Sequence, residues 1–404
     1  MPAHPKAELS HSDPNALNER GGSYMRLGRP EDAIACYDRA LAAAPRIPEL
    51  HVNKGTALRA LNRFDEALAS FAAAIAIDPM RAEAHYNAGL VRLCLGRFRE
   101  GWQGYAWRWR KADWASRRRD FCAPQWDGQQ PIAGKTILLH AEQGLGDTLQ
   151  FVRFAPLLAK SGATVIIECQ PELRNLLRDL DGAAAVVARD DPLPNLDLHC
   201  PLLSLPLAFE TELATIPANI PYLRPPRDRV ERWRGRLPQH GRLRVGLCWA
   251  GSRMHLNDRN RSIPLERFAT LLSVPGVDFV SVQKEVDAAQ AAILHVRGVT
   301  QLGGDFADFV DTAAVVAMLD LVISVDTSIA HLAGAMGKAV GLLVPFSPDW
   351  RWLLERTDSP WYPTMRLFRQ PAIADWDTPL ERVCRELSDL VAVRRRRAET
   401  AAVA

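Results

Sequence analysis

Thr136-Ile137-Leu138-Leu139-His140-Ala141-Glu142-Gln143-Gly144-Leu145-Gly146-Asp147 runs from a short apolar stretch into a polar turn bearing two glycines. Helical periodicity follows, so the segment reads as strand, tight turn, helix. About 180 residues later the same grammar returns. Leu321–Val325 is apolar, and Asp326-Thr327-Ser328-Ile329-Ala330-His331 opens a second helical stretch. N–H groups at a helix start point outward unpaired, so each turn suits phosphate or another anion. Two such turns, each heading its own βα-rich half, predict two α/β domains facing one another across a cleft, with the second helix start turned toward it.

Outward from the first turn, Lys135–His140, Thr164–Glu168, Ala184–Ala188 and Leu196–Cys200 read as strands, and Asp147–Ser161 and Pro171–Leu180 as helices. Pro221–Pro238 reads as a linker with a short helix. Around the second turn, strands are expected at Leu243–Trp249, Asp278–Gln283, Leu321–Val325 and Ala339–Val344. Helices are expected at Leu265–Ser273, Val286–His295, Asp311–Leu319 and Ser328–Met336. Alternating βα units imply parallel sheets covered by helices, with ligands at the carboxyl ends of the strands.

The N-terminal quarter is different. Gly21, Tyr24, Gly28, Ala33, Tyr37, Ala40 and Pro45 return 34 residues later as Gly55, Leu58, Asn62, Ala67, Phe71, Ala74 and Pro79. A third copy keeps Gly89 and Gly96 but departs in its second half, where Trp102, Trp107, Trp109 and Trp114 fall. The spacing resembles the tetratricopeptide repeat, in which paired antiparallel helices stack. Such an array implies a macromolecular partner. The tryptophans read either as glue between the array and the adjoining domain or as an aromatic acceptor site.

Composition bounds the rest. The 404 residues exceed what one core fills, and 48% hydrophobic with 24% charged residues is ordinary for a globular chain. A net charge of +3 gives no global reason to expect nucleic acid, and the runs Arg117–Arg119 and Arg394–Arg397 read as solvated surface or tail. Seven cysteines, odd in number and without a C-x-x-C pair, predict a reducing, cytoplasmic compartment. Residues 1–14 have no apolar core for a signal peptide, and no stretch reaches the roughly 20 apolar residues of a membrane span.

The candidate chemistry clusters at the turns. Asp147 reads either as an N-cap or as a general base; Gln143, Gly144 and Gly146 shape the turn on this acceptor side. In the second turn Asp326, Thr327 and Ser328 offer polar groups at a helix start. His331 lies on the same face and either donates to the same anion or is a satisfied, half-buried ring. Trp249-Ala250-Gly251-Ser252 leaves the first strand of the second half and leads through His255, Asn257, Asp258, Arg259 and Arg261. There the two arginines suit a diphosphate, or the loop is simply solvated. Gln283 and Lys284 are weaker candidates for base or ribose contacts. The chain has no D-x-D pair suited to a divalent ion on a diphosphate, and no H-E-x-x-H, Walker loop, G-x-S-x-G or G-x-G-x-x-G, which lowers metal, hydrolase, kinase and dehydrogenase readings.

Together, Glu142–Asp147 with Thr148-Leu149-Gln150-Phe151, the Trp249–Pro264 loop, Asp326–His331 and the run from Pro345 through Trp352 to Ser359–Tyr362 resemble the bacterial heptosyltransferase-like glycosyltransferases. The subset fused to tetratricopeptide repeats, comparable with O-linked N-acetylglucosamine transferases, is similar over about residues 14–390. The resemblance implies a GT-B pair of Rossmann-like domains behind the helical array, an α plus α/β fold. It implies a metal-independent inverting transfer from a nucleotide-diphospho-sugar with no other cofactor. Asp147 would be the base, Arg261 the cation on the diphosphate, and Thr327, Ser328 and His331 the diphosphate turn. Arg261 and Ser328 depart from the Lys and Gly common in heptosyltransferases. The expected division is a disordered tail at 1–13, repeats at 14–115, acceptor domain at 116–228, nucleotide-sugar domain at 229–375, and a C-terminal helix and basic tail at 376–404. The competing reading is an interaction scaffold whose GT-B module binds without turnover.

Overall fold

The computed structural model describes residues 13–254 and 257–403; the expected tail and His255 lie outside them, Asp13 excepted. The chain divides into two compact units, Met1–Asp120 with Ser347–Leu354, and Phe121–Phe346 with Glu355–Ala404.

The first unit is the tetratricopeptide array. Its helices are α1 (Pro14–Arg26), α2 (Pro30–Ala43), α3 (Pro48–Ala60), α4 (Phe64–Ile77), α5 (Ala82–Cys94) and α6 (Phe98–Ala106). Proline opens the first three, where its missing N–H costs nothing. The period of 34 follows from close packing between the paired helices. A Cβ on Gly21 would run into the Tyr37 ring, and one on Gly55 would stand 2.5 Å from Phe71 Cε1. In the third pair the approach is backbone on backbone, with a Cβ on Gly89 placed 2.7 Å from the Gly104 carbonyl carbon.

Helix α6 ends after nine residues and gives way to 3₁₀ turns at Trp107–Arg110 and Ala112–Arg117. The tryptophans pack within their own unit. Trp102 meets Trp350 of the 347–354 segment edge-on at 5.1 Å, Trp107 stacks on His85 at 3.8 Å, and Trp109 meets Trp114 at 5.7 Å.

The second unit holds two parallel sheets. The first comprises β1 (Thr136–His140), β2 (Thr164–Cys169), β3 (Ala185–Ala188) and β4 (Leu198–Pro201), in the order β3-β2-β1-β4. Helices α7 (Leu145–Phe151), α8 (Ala155–Lys160), α9 (Pro171–Leu177) and the single turn α10 (Leu205–Ala208) accompany it, and α11 (Arg227–Arg234) follows in the chain. The second sheet comprises β5 (Leu243–Cys248), β6 (Val277–Ser281), β7 (Thr300–Gln301), β8 (Leu321–Val325), β9 (Val340–Val344) and β10 (Met365–Arg369). Its order is β10-β9-β8-β5-β6-β7. Its helices are the turn α12 (Asp258–Arg261), α13 (Ala288–Val296), α14 (Phe309–Ala317), α15 (Ser328–Ala335) and the long α16 (Asp377–Val403). Leu380, Val383 and Leu387 of α16 join Val245, Leu247 and Phe268 in one buried core.

Two expected helices are broken, for identifiable reasons. Asp147–Ser161 splits into α7, a 3₁₀ turn at Val152–Phe154, and α8. Pro156 removes the N–H that would bond the Val152 carbonyl. Leu265–Ser273 is two 3₁₀ turns, Leu265–Ala269 and Leu271–Ser273. Leu265, Phe268 and Leu271 are all fully buried, and their spacing of three fits a helix with three residues per turn. Strands β7 and β10 add to the expected set. β10 lies beside β9 at the sheet edge and breaks its apolar run with arginine, Arg366 being exposed.

Candidate functional site

In each sheet the connections reverse direction once, between β1 and β4 in the first and between β5 and β8 in the second. The carboxyl ends of strands flanking such a reversal leave a crevice, because neighbouring connections diverge to opposite faces. The Glu142–Asp147 turn leaves β1, the Trp249 loop leaves β5, and the Asp326 turn leaves β8. All three candidate segments therefore occupy reversal points.

The first turn is built by local bonds. Gly144, not Asp147, is the N-cap of α7; Asp147 stands at N3 and accepts from the Gly144 N–H at 2.9 Å. This is the reciprocal half of a capping box, so the carboxylate does capping work one turn inside the helix. Gln170 props the turn from behind. Its Nε2 donates to the Gln143 carbonyl at 2.8 Å, and its Oε1 accepts from Thr148 Oγ1 at 2.9 Å. Asp147 is half-buried and Gly144 exposed.

In the second turn the hydroxyls divide. Thr327 is the N-cap of α15, yet its side chain makes no cap bond. It turns inward instead, 3.1 Å from Ser324 Oγ and 3.5 Å from the Cys248 thiol. Since Ser324 donates to the Val325 carbonyl at 2.6 Å, Thr327 donates to Ser324. The expectation that the Thr327 hydroxyl faces an anion is thereby corrected: it is tied to the strand ends beneath. Cys248, fully enclosed, has its thiol pushed up by burial. Ser328 is half-buried, whereas Thr327 and His331 are buried. The His331 ring has Nδ1 2.9 Å from Tyr362 Oη and Nε2 3.8 Å from Asp326 Oδ1.

The loop after β5 folds onto this turn. Ile263 N–H donates to the Trp249 carbonyl at 2.9 Å, closing the loop, and Gly251 N–H donates to Ser262 Oγ at 3.0 Å. Arg261 crosses over Gly251, where any Cβ would meet its guanidinium, and donates to the Asp326 carbonyl at 2.8 Å and to Asp258 at 3.3 Å. Arg259 and Ser252 are exposed, and Ser252 Oγ accepts from Met254 N–H at 3.3 Å. Trp249 is a core residue, 1% exposed. Gln283 Oε1 accepts from the Trp249 and Ala250 N–H groups at 3.2 and 3.1 Å, which ties it to the end of β5. Lys284 donates to the Phe306 carbonyl at 3.1 Å. Gln283 and Lys284 thus brace the loop.

Helices α7 and α15 meet tip to tip. A Cβ on Gly146 would lie 2.7 Å from His331 Cδ2 and 3.5 Å from Ser328 Cα. The fold therefore brings together Gly144, Gly146, Asp147, Arg261, Asp326, Ser328 and His331. It keeps Trp249, Gln283 and Thr327 in supporting roles.

Sequence reasoning missed Arg153, buried beneath this contact. Its guanidinium donates to the carbonyls of Gln150, Pro217 and Trp361 at 2.7, 3.3 and 2.6 Å, and to Tyr222 Oη at 2.9 Å. It also lies over the Tyr362 ring at 4.6 Å. An arginine inside the otherwise apolar stretch Phe151–Leu158 was the available signal. Among the described residues no group of three or more His, Cys, Asp or Glu is placed to hold a metal ion, and no helix is long and apolar enough to cross a membrane.

Residues 18–79 and 52–100 match the tetratricopeptide repeat family. The chain is 26% identical over 321 residues to protein FlbA of Caulobacter vibrioides, covering 72% of this chain and 52% of FlbA. It thus spans about half the length of that curated relative. Solved structures similar to the array include the second tetratricopeptide domain of Spaghetti (RPAP3) bound to an HSP90 peptide, at 26% identity and TM-score 0.23. That match covers 25% of this chain and 94% of the other. MamA is also similar, at 23% identity and TM-score 0.25, over 26% of this chain and 62% of MamA.

Proposed function

We propose that the α/β unit is a metal-independent, inverting glycosyltransferase of GT-B architecture. It moves a sugar from a nucleotide-diphospho-sugar to a hydroxyl, and the repeats select a protein or carrier acceptor. The observation that carries this is the start of α15. Thr327 is turned inward, and its side chain makes no bond that caps that helix. The tip reaches the surface at half-buried Ser328, beside the Gly146 turn. A helix start with the guanidinium of Arg261 anchored beside it is suited to a diphosphate, whose leaving charge amides and cation stabilise together. Asp147, on the opposing helix, then takes the proton of the incoming hydroxyl.

Thermal denaturation with UDP, GDP or ADP tests the site. At least one should raise Tm, with or without EDTA, because a ligand bound to the folded state alone stabilises it. No shift with any of the three removes the nucleotide site. Asp147→Asn should keep that shift, since an amide oxygen can still accept from Gly144. Transfer should fall by roughly 10²–10⁴-fold. Near wild-type turnover takes Asp147 out of the mechanism.

One observation favours the scaffold reading, in which the module binds a nucleotide-sugar without turnover. Gly146 packs on His331 and Ser328 with no room for even a methyl group, at the point where donor and acceptor would meet. On that reading nucleotides still raise Tm, but no donor is consumed with any acceptor offered.

A further inference from the structure

Arg153 is 4% exposed, and each of its hydrogen bonds ends on a neutral acceptor: the carbonyls of Gln150, Pro217 and Trp361 and the Tyr222 hydroxyl. The rings against it, Tyr222 at 4.9 Å and Tyr362 at 4.6 Å, are neutral too. A guanidinium carries one more N–H than these bonds use. Among the described residues no carboxylate pairs with it. An ion taken out of water is ordinarily paired, because neutral partners return only part of its lost hydration. Arg229 shows the usual arrangement in this same unit, with buried Asp311 2.7 Å away.

The missing counter-charge has room to come from outside. Arg153 lines a cavity of about 660 Å³ between α8, α9 and the crossover that leads into α11, a volume in the range of small-molecule sites. Pro217 and Tyr222, which accept from Nη1 and Nη2, line it as well, so the guanidinium end stands at its wall. Lys160, Arg224 and Arg227 border the same space, all exposed and in no ion pair among the described residues. Asp179 and Asp181 are the only carboxylates lining it, so cations outnumber them four to two. Leu157, Leu176 and Leu180 supply apolar wall.

We propose that this cavity binds a phosphate monoester on a small apolar body. The phosphate supplies the counter-charge to Arg153 and the rim cations, and the apolar part lies against the leucines. A phosphate monoester is close to a dianion at neutral pH, which matches the excess of positive charge better than a single carboxylate does. No residue of the Trp249 loop or the Asp326 turn lines the cavity, so the site is separate from the proposed donor site and does not rest on it. The two still communicate through one side chain. Arg153 holds the Trp361 carbonyl, and the next residue, Tyr362, meets His331 of α15. An occupant therefore bears on the joint beneath the paired helix tips.

Isothermal titration of the full chain with naphthyl phosphate tests this, with naphthoate and naphthol as the monoanionic and uncharged versions of the same ring. Naphthyl phosphate should bind at one saturable site, naphthoate more weakly, and naphthol at least about tenfold more weakly still. Reversing two rim charges together, Arg224→Glu with Arg227→Glu, should weaken naphthyl phosphate at least about tenfold with circular dichroism unchanged. Arg261→Ala, at the proposed donor site, should leave its affinity as it was. No saturable binding at millimolar ligand overturns the proposal, as does naphthol binding as tightly as the phosphate. So does an unchanged affinity in the folded double variant, or a loss in Arg261→Ala, which would put the probe at the α15 turn. If the double variant does not fold, Lys160→Glu on α8 takes its place under the same criterion. Nucleotide thermal shifts are read separately, so failure of the donor site and failure of this cavity are distinguishable.

Discussion

Asp147 and Thr327 exchange the roles their sequence positions suggest. The carboxylate at N3 caps its helix, and the hydroxyl at the N-cap does not. Ser324 and Cys248, on the strand ends beneath, draw Thr327 inward. The exposed Gly144 N–H, with no cap of its own, recruits Asp147 from one turn on.

Asp311 shows the same dependence on its surroundings and yields a stability prediction. It is 2% exposed and accepts from Arg229 at 2.7 Å, Trp233 Nε1 at 2.9 Å and Ala307 N–H at 3.0 Å. Burial alone would raise its pKa. The bonds from Trp233, Ala307 and Arg229 outweigh that and hold it below the ordinary carboxylate value. Stability from a depressed carboxylate is present above its unfolded pKa and lost as pH falls through the folded one. Asp311→Asn should therefore cost about 2–4 kcal/mol at neutral pH in urea unfolding. The gap to wild type should narrow below about pH 4. A pH-independent difference would show that the charge is not what matters.

Among the helices, glycine content misleads unless the facing surface is known. Ala is a better helix former than Gly by about 1 kcal/mol, so Gly→Ala in a helix should stabilise. At Gly22 the nearest outside atom is a flexible Arg26 nitrogen 3.7 Å away, and Gly22→Ala should raise stability by up to about 1 kcal/mol. At Gly89 the obstructing atoms are all backbone of Gly104 and Tyr105, none of which can rotate aside. Gly89→Ala should lower stability by about 1–3 kcal/mol despite its better propensity. Denaturant midpoints of the two variants, moving in opposite directions, check this; equal shifts would refute it.

The strands and helices were legible wherever apolar period and length agreed, as at Thr136–His140 and Leu321–Val325, each found within a residue of expectation. Legibility failed where a single proline, a spacing of three or an edge strand decided the outcome: at Pro156, at Leu265–Leu271 and at β10.

Across the molecule, the parallel order of both sheets and the array ahead of them follow from patterns any reader of the chain can find. The 34-residue period requires paired helices that stack, and alternating βα units require parallel strands with their turns on one edge. Sequence could also nominate Gly146, Asp147, Arg261, Asp326 and Ser328, because helix starts and short polar loops at strand ends carry local signals. It could not say that Gly146 lies against His331, that Trp350 belongs with the helices of the repeats, or that Arg153, Tyr222 and Tyr362 connect beneath the paired helix tips. Those facts join residues as much as 248 positions apart, as Trp102 and Trp350 are. Hydrogen-bond direction and steric exclusion act through space, and only the folded chain sets which donors and acceptors meet.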